Sequence, residues 1–399
     1  MKISMFQKFQ RDFSTQAAMQ GLIIAIVGYA SSVAVVVQGL RAMGATAHEI
    51  ASGLFFLGIA KGLVAVALSL WTRMPISIAW TTPGLALLAV TPAVAGGFQA
   101  AVGAFIVVGG LIVLTGLWPV LGRLIAMIPK AIANAMLAGI LFKLCLAPFV
   151  ALQKLPLVAG AVLLTWVVMT RVARLYAVPA AVFVAVLAIA FGEDFKGAAT
   201  IWPSFVLVRP VFTWEAVISI AIPLYIVTMT SQNITGLAVL STFDWRPDSR
   251  LTLAATGAAS AITAPFGAPT INHAAITAAM AAGPDAHPER NQRYVAAIVG
   301  GFGYILLSVF AGLTTELVVS SSPLLIEAAA GLALIGAFAS ATAGALEAEE
   351  DRIPAMATLL VTASGLALFS IGPAFWGLVI GCGLVAFFRL RLDPDLSRR

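Results

Sequence analysis

Two apolar segments, each interrupted by proline and glycine, occupy matching places in the two halves of this 399-residue chain. The first reads Met74-Pro75-Ile76-Ser77-Ile78-Ala79-Trp80-Thr81-Thr82-Pro83-Gly84 and continues as a small-residue run to Ala89. The second reads Ala264-Pro265-Phe266-Gly267-Ala268-Pro269-Thr270-Ile271-Asn272-His273 and continues likewise to Ala279. Each passes from a proline through a few residues of extended character, meets a polar residue (Thr82 or Asn272) and opens into a helical run. Proline lacks the N–H of a continuous helix and clashes with the preceding turn. Irregular backbone survives at membrane depth only where protein or a polar cavity covers it. Broken segments in corresponding halves point to the binding site of a transporter, so the pair predicts a carrier.

The membrane itself follows from composition. Hydrophobic residues make up 61% of the chain and charged residues 10%, whereas a soluble domain carries about 25% charged residues. No sizeable soluble domain fits, and the stretch 192–213 reads as a loop. The polar, basic residues 1–16 read as a cytoplasmic lead-in, with Phe6, Phe9 and Phe13 on one stripe, and not as a signal peptide. Cys145 and Cys382 lie inside apolar runs, and His48, His273 and His287 have no ligand spacing, so neither metal nor cofactor is expected. The formal charge of +6 comes from residues scattered at span ends, which does not suggest nucleic acid. There is no Gly-x-Ser-x-Gly, no His-Glu-x-x-His and no pair of intramembrane aspartates, which disfavours an enzyme.

A span needs about 20 apolar residues. That rule predicts fourteen segments, at roughly 17–38, 48–71, 74–91, 97–118, 128–149, 155–170, 176–192, 214–240, 251–264, 268–283, 293–315, 323–346, 353–370 and 373–390. With the N-terminus cytoplasmic, the 23 lysines and arginines fall inside except for Arg41, Lys154, Lys196 and Arg209 outside, and Lys61 and Lys143 within spans. This bias supports both termini inside. Two halves of seven spans, 1–203 and 204–399, would then have opposite orientations in the membrane.

Pro75 to Gly84, the tetrapeptide Thr230-Ser231-Gln232-Asn233, and the Ala-Ala-Ile-Thr-Ala-Ala run followed by Gly283-Pro284-Asp285-Ala286-His287-Pro288 resemble the benzoate/proton symporter (BenE) family over essentially the whole chain. That family is related to the uracil and xanthine permeases and more remotely to sulfate-type anion transporters. The resemblance implies an all-α polytopic membrane protein with a seven-plus-seven inverted repeat. A core domain of spans 1–4 and 8–11 would face a gate domain of spans 5–7 and 12–14. Short strands in spans 3 and 10 would cross near the bilayer midplane, with substrate held between the half-helices and span 8. One departure bears on substrate: where nucleobase permeases carry acids on span 8 and after the span-10 strand, this chain has Ser231-Gln232-Asn233 and Asn272-His273. Losing carboxylates there fits an anionic substrate, and it also removes the relatives' evident proton carriers.

Each candidate residue has a structural and a functional reading. Thr82 and Asn272, taken as N-caps, would satisfy orphan backbone N–H groups or present two helix N-termini to a carboxylate. Thr81 and Thr270 stand beside them. Ser231, Gln232 and Asn233 serve either as inter-helix hydrogen bonds or as cavity groups. His273, Lys61 and Lys143 are the proton-coupling candidates, an intramembrane lysine having to pair, face water or lose its proton. Trp80 and Phe266, with Tyr29 and Phe338, could wall an aromatic ligand or simply pack. Most tryptophans lie near span ends and read as interface anchors.

The expected activity is import of an aromatic monocarboxylate, benzoate, with a proton by alternating access across a bacterial cytoplasmic (inner) membrane. The expected partners are that carboxylate, the proton, the lipid bilayer and a second copy through the gate domains. The rivals are the same fold carrying a nucleobase or another organic or inorganic anion, and a passive anion channel.

Overall fold

The computed structural model describes residues 9, 11–190, 202–203, 205–319, 323–369 and 371–389. Phe6 and much of the 192–213 loop lie outside them. The first half runs α1 (Thr15–Ala30), α2 (Val33–Ala42), α3 (Ala47–Thr72), β1 (Ile78–Trp80), α4 (Thr82–Val90), α5 (Gly97–Leu117), α6 (Pro119–Ala126), α7 (Lys130–Lys154), α8 (Pro156–Val172) and α9 (Ala177–Ala190). The second runs α10 (Trp214–Thr242), α11 (Ser249–Thr263), β2 (Ile271–His273), α12 (Ile276–Ala282), α13 (Tyr294–Ser308), α14 (Ala311–Val319), α15 (Pro323–Leu346), α16 (Arg352–Ser364) and α17 (Pro373–Arg389).

The protein is mostly helical and multi-spanning. Among the described residues six helices are long and apolar enough to cross a membrane, and a seventh span results if α13 and α14, bent by 62° at their junction, count as one. Local chemistry sets the boundaries. Thr46 and Glu49 form a reciprocal capping box at the start of α3, and Arg73 ends it in the left-handed region at φ 56°. The expected span at 17–38 is present as a single crossing over Thr15–Ala42. Its ladder loosens at Ser31-Ser32, where α1 meets α2 and Ser32 donates its hydroxyl to Gly28 O at 2.8 Å. The span expected at 353–370 stops at Ser364, because Gly365 adopts φ 76°.

Small residues set the spacing between helices. A Cβ built at Gly62 on α3 would stand 2.5 Å from Gly301 O on α13, and one at Gly301 would stand 2.8 Å from Gly62 O. Only glycine permits that approach. The same reciprocity joins Gly109 on α5 to Gly257 on α11. Helices α1, α3 and α13 pack together, as do α5 and α11; separately, α7 packs on α15 and α16, and α16 on α17. Ion pairs sit at helix ends. Asp12 bonds Arg73 and accepts from Tyr294 Oη at 3.1 Å, and Arg389 reaches both oxygens of Asp351 at 3.0 Å. Trp245, expected as an anchor, is instead buried beneath the Arg290 guanidinium, 4.3 Å from its ring centroid.

A candidate binding site at the strand crossing

The two broken segments meet as an antiparallel strand pair, with Ile78 opposite His273, Ala79 opposite Asn272 and Trp80 opposite Ile271. The pairing continues past both ends: Thr81 N donates to Thr270 O at 3.2 Å and Ala274 N to Ser77 O at 3.0 Å. Side chains alternate across a strand. One face therefore carries Ser77, Ala79, Thr81, Thr270 and Asn272, and the opposite face carries Ile78, Trp80, Ile271 and His273. The expected site residues are divided between two faces.

The first face meets α10. Thr81 Oγ1 shares a hydrogen bond with Thr228 Oγ1 at 2.9 Å, and Asn272 Nδ2 donates to Gln232 Oε1 at 3.4 Å and to His273 O at 2.7 Å. Asn272 Oδ1 and Thr270 Oγ1 are buried with no partner. Buried polar atoms are normally satisfied, so two orphans side by side mark a place where a ligand could bond. The capping expectation needs correction at both segments. The N-cap of α4 is Thr81, which accepts from Gly84 N, and Thr82 is the first helical residue. Asn272 lies within β2, and α12 starts four residues later after Ala275, whose side chain caps nothing. The ladder keeps the chain extended through His273 and Ala274, so the helix cannot begin at Asn272.

Helix α10 is distorted where it passes the strands. It contains π-helical turns at Val217–Ala221 and Met229–Asn233; such bulges are frequent at functional sites. Within the second, Ser231 turns its hydroxyl back to Val227 O at 2.6 Å. Asn233 is fully buried: its Oδ1 accepts from His273 N at 2.9 Å and its Nδ2 contacts Met229 Sδ at 3.3 Å. It seals the open edge of β2, an inter-element role. Gln232, half-buried, is the member of the tripeptide that bonds Asn272.

On the second face, Trp80 Nε1 donates to Ser32 Oγ at 2.7 Å, at the break between α1 and α2. Lys61 is buried to 1% exposure, its Nζ 3.3 Å from the Trp80 ring centroid and 3.5 Å from that of Tyr304. Tyr29 lies 5.5 Å from Trp80, centroid to centroid, and its hydroxyl donates to Thr314 Oγ1 at 3.3 Å. Beyond Tyr29 a cavity of about 210 Å³ opens between α1, α2, α9, α14 and α15, lined by Val33, Ala34, Val182, Leu317 and other apolar groups. His273 is fully buried and neither ring nitrogen has a partner.

Three expected residues stand apart. Lys143 is exposed on α7, its Nζ 2.8 Å from a Cβ built at Gly365, beyond the end of α16. Phe266 stacks on Phe56 at 4.0 Å and 17°, in a cluster with Phe55 and Phe205 that shares no ring with Trp80. Phe338 contacts Phe142 at 6.1 Å. Sequence reasoning missed Ser32, Thr228 and Tyr304. The Ser31-Ser32 pair inside an apolar run was a usable signal for the first; a tyrosine and a threonine in apolar spans carry none.

Three relatives share this architecture or this sequence. The inner membrane protein YdcO of Escherichia coli (strain K12) is 37% identical over 95% of this chain and 97% of its own length. The benzoate membrane transport protein of Acinetobacter baylyi (strain ATCC 33305 / BD413 / ADP1) is 32% identical over 99% of this chain and its full length. The transmembrane domain of a cyanobacterium bicarbonate transporter, BicA, superposes with TM-score 0.64 over 92% of this chain and 97% of that one, at 16% identity, a likeness of fold. The family model for the benzoate membrane transport protein, BenE, matches residues 11–387. The chain therefore belongs to the benzoate membrane transport protein (BenE) family.

Proposed function

We propose that this protein imports an aromatic monocarboxylate of the benzoate type together with a proton, across the bacterial inner membrane, by alternating access. The carrying observation is the strand face toward α10, which has the orphaned Thr270 hydroxyl, the Gln232 amide and no carboxylate; the orphaned Asn272 Oδ1, an acceptor, does not bond a carboxylate. Pro83 has no N–H and Gly84 N is taken by Thr81, so the backbone donor left in the first turn of α4 is that of Thr82. With Thr270 Oγ1 and the Gln232 amide it gives a carboxylate three donors at the positive end of a nine-residue helix. A nucleobase, needing acceptors for its ring N–H groups, finds fewer.

The wider reading is fourteen spans in two inverted halves, 1–203 and 204–399, with both termini cytoplasmic and core and gate domains of the composition given above. Strand-then-short-helix units at matching places in the two halves support the repeat. The mutual packing of α7, α15, α16 and α17 supports a gate unit, the proposed surface for a second copy. Moving a bare anion into a negative-inside cell costs about 2.3 kcal/mol per 100 mV, and one accompanying proton cancels that term. The test is uptake of labelled benzoate into proteoliposomes under an inward proton gradient, measured at initial rates above protein-free liposomes because benzoic acid itself permeates bilayers. No protein-dependent, gradient-stimulated rate rejects the proposal; competition by nucleobases but not by aromatic acids reassigns the substrate.

A further inference from the structure

Lys61 occupies the middle of α3 with 1% of its surface exposed. Its Nζ is sandwiched by Trp80 and Tyr304, with Tyr29 at 6.0 Å, and among the described residues no carboxylate forms an ion pair with it. A buried charge needs a partner, and aromatic faces supply only part of one. An ionisable residue kept in such a place within a span points to function. The other two candidates are less suited. Lys143 lies on α7 away from the strands, and an imidazolium at His273 would need two acceptors where neither ring nitrogen has any.

The cage is also tied to the proposed carboxylate site. Trp80 is the residue before Thr81 on the same strand, so its ring and the carboxylate face lie on opposite sides of one backbone layer. Its indole is held by Ser32 at the break in the first span, so a shift of the strand against α1 and α2 alters the cage.

We propose that Lys61 carries the coupled proton. The proton joins the Nζ lone pair from the outer aqueous phase as the carboxylate docks across the strand layer, and it departs to the cytoplasm when the carboxylate does. This rests on the carboxylate reading of the same site. Loaded, the core holds an ammonium opposite a carboxylate; empty, it holds neither charge, and both forms can reorient without stranding an ion. Around the amine, the titratable groups that face it are Tyr29 from α1 and Tyr304 from α13. His273 on β2 shares the strand face of Trp80, and Glu316 on α14 is not without a partner.

The test is the pH dependence of benzoate affinity in purified protein between about pH 6 and pH 9, where an aromatic carboxylic acid is fully ionised. Over the range where the empty protein releases this proton, Kd of the wild type weakens by about tenfold per pH unit. Lys61→Met is expected to bind benzoate with a flat profile and to lose proton-gradient-driven uptake in proteoliposomes. If that variant does not fold, Lys61→Arg, whose charge does not come off, decides the matter by the same flat profile. A wild-type slope in either variant overturns the assignment, as does a flat profile in a wild type that takes up benzoate. A wild type that neither binds nor transports benzoate rejects the substrate reading itself.

Discussion

Neighbouring polar residues at the strand crossing have separable tasks. Asn233 accepts the edge N–H of His273 from inside a fully buried position. Asn233→Ala leaves that donor unsatisfied and is expected to lower stability by about 1–3 kcal/mol, read as a fall in thermal midpoint in detergent. Gln232 is half-buried and, among the described residues, its side chain accepts from the Asn272 amide at 3.4 Å. Gln232→Ala is expected to keep the midpoint and weaken benzoate binding by about tenfold or more, measured by titration. If instead Asn233→Ala loses affinity at unchanged midpoint, the two roles are reversed. Thr81 caps α4 and bonds Thr228; Thr81→Ala should cost about 1 kcal/mol of stability. The sequence showed the polar tripeptide and the threonine pair but not which member meets Asn272 and which braces the edge of β2. That depends on a π-turn, which rotates the helix face by a fraction of a turn and leaves no mark in residue types.

At the level of elements, glycine spacing decides where helices touch. Gly62 faces the Gly301 backbone closely enough that an added Cβ would meet it at 2.5 Å, whereas a Cβ at Gly110 meets nothing within 4 Å. Gly62→Ala is expected to force α3 and α13 apart at about 1–3 kcal/mol, while Gly110→Ala should be neutral or stabilise by up to about 1 kcal/mol through helix propensity. Thermal unfolding of the two variants side by side checks this; equal midpoints would refute close packing at that interface. The broken segments were legible from Pro75, Pro83, Pro265 and Gly267, because proline and glycine act locally. Their pairing register was not, and with it went the positions of Thr82 and Asn272. Both look like helix starts in isolation, and the ladder moves one cap back to Thr81 and delays the other helix to Ile276.

For the whole molecule, the proposed topology places the α2–α3 turn outside and the α10–α11 turn inside. In a background of Cys145→Ser and Cys382→Ser, Ala42→Cys should react with an impermeant maleimide in intact cells, and Ser249→Cys only after permeabilisation. Both positions are exposed. The reverse pattern would invert the orientation. The apolar composition, the charge bias at span ends and the two interrupted segments belong to the chain itself. They fix that it is a membrane protein with two broken spans, because hydration cost and the lack of a proline N–H act on any conformer. Only the tertiary structure separates the two intramembrane lysines. Lys61 and Lys143 are alike in sequence, each near the middle of an apolar span. The strand pair carries Trp80 onto Lys61 and the Gly62–Gly301 contact brings Tyr304 within 3.5 Å of it, while Lys143 is left exposed beside Gly365. Such neighbours come from distant parts of the chain, and no local pattern encodes them.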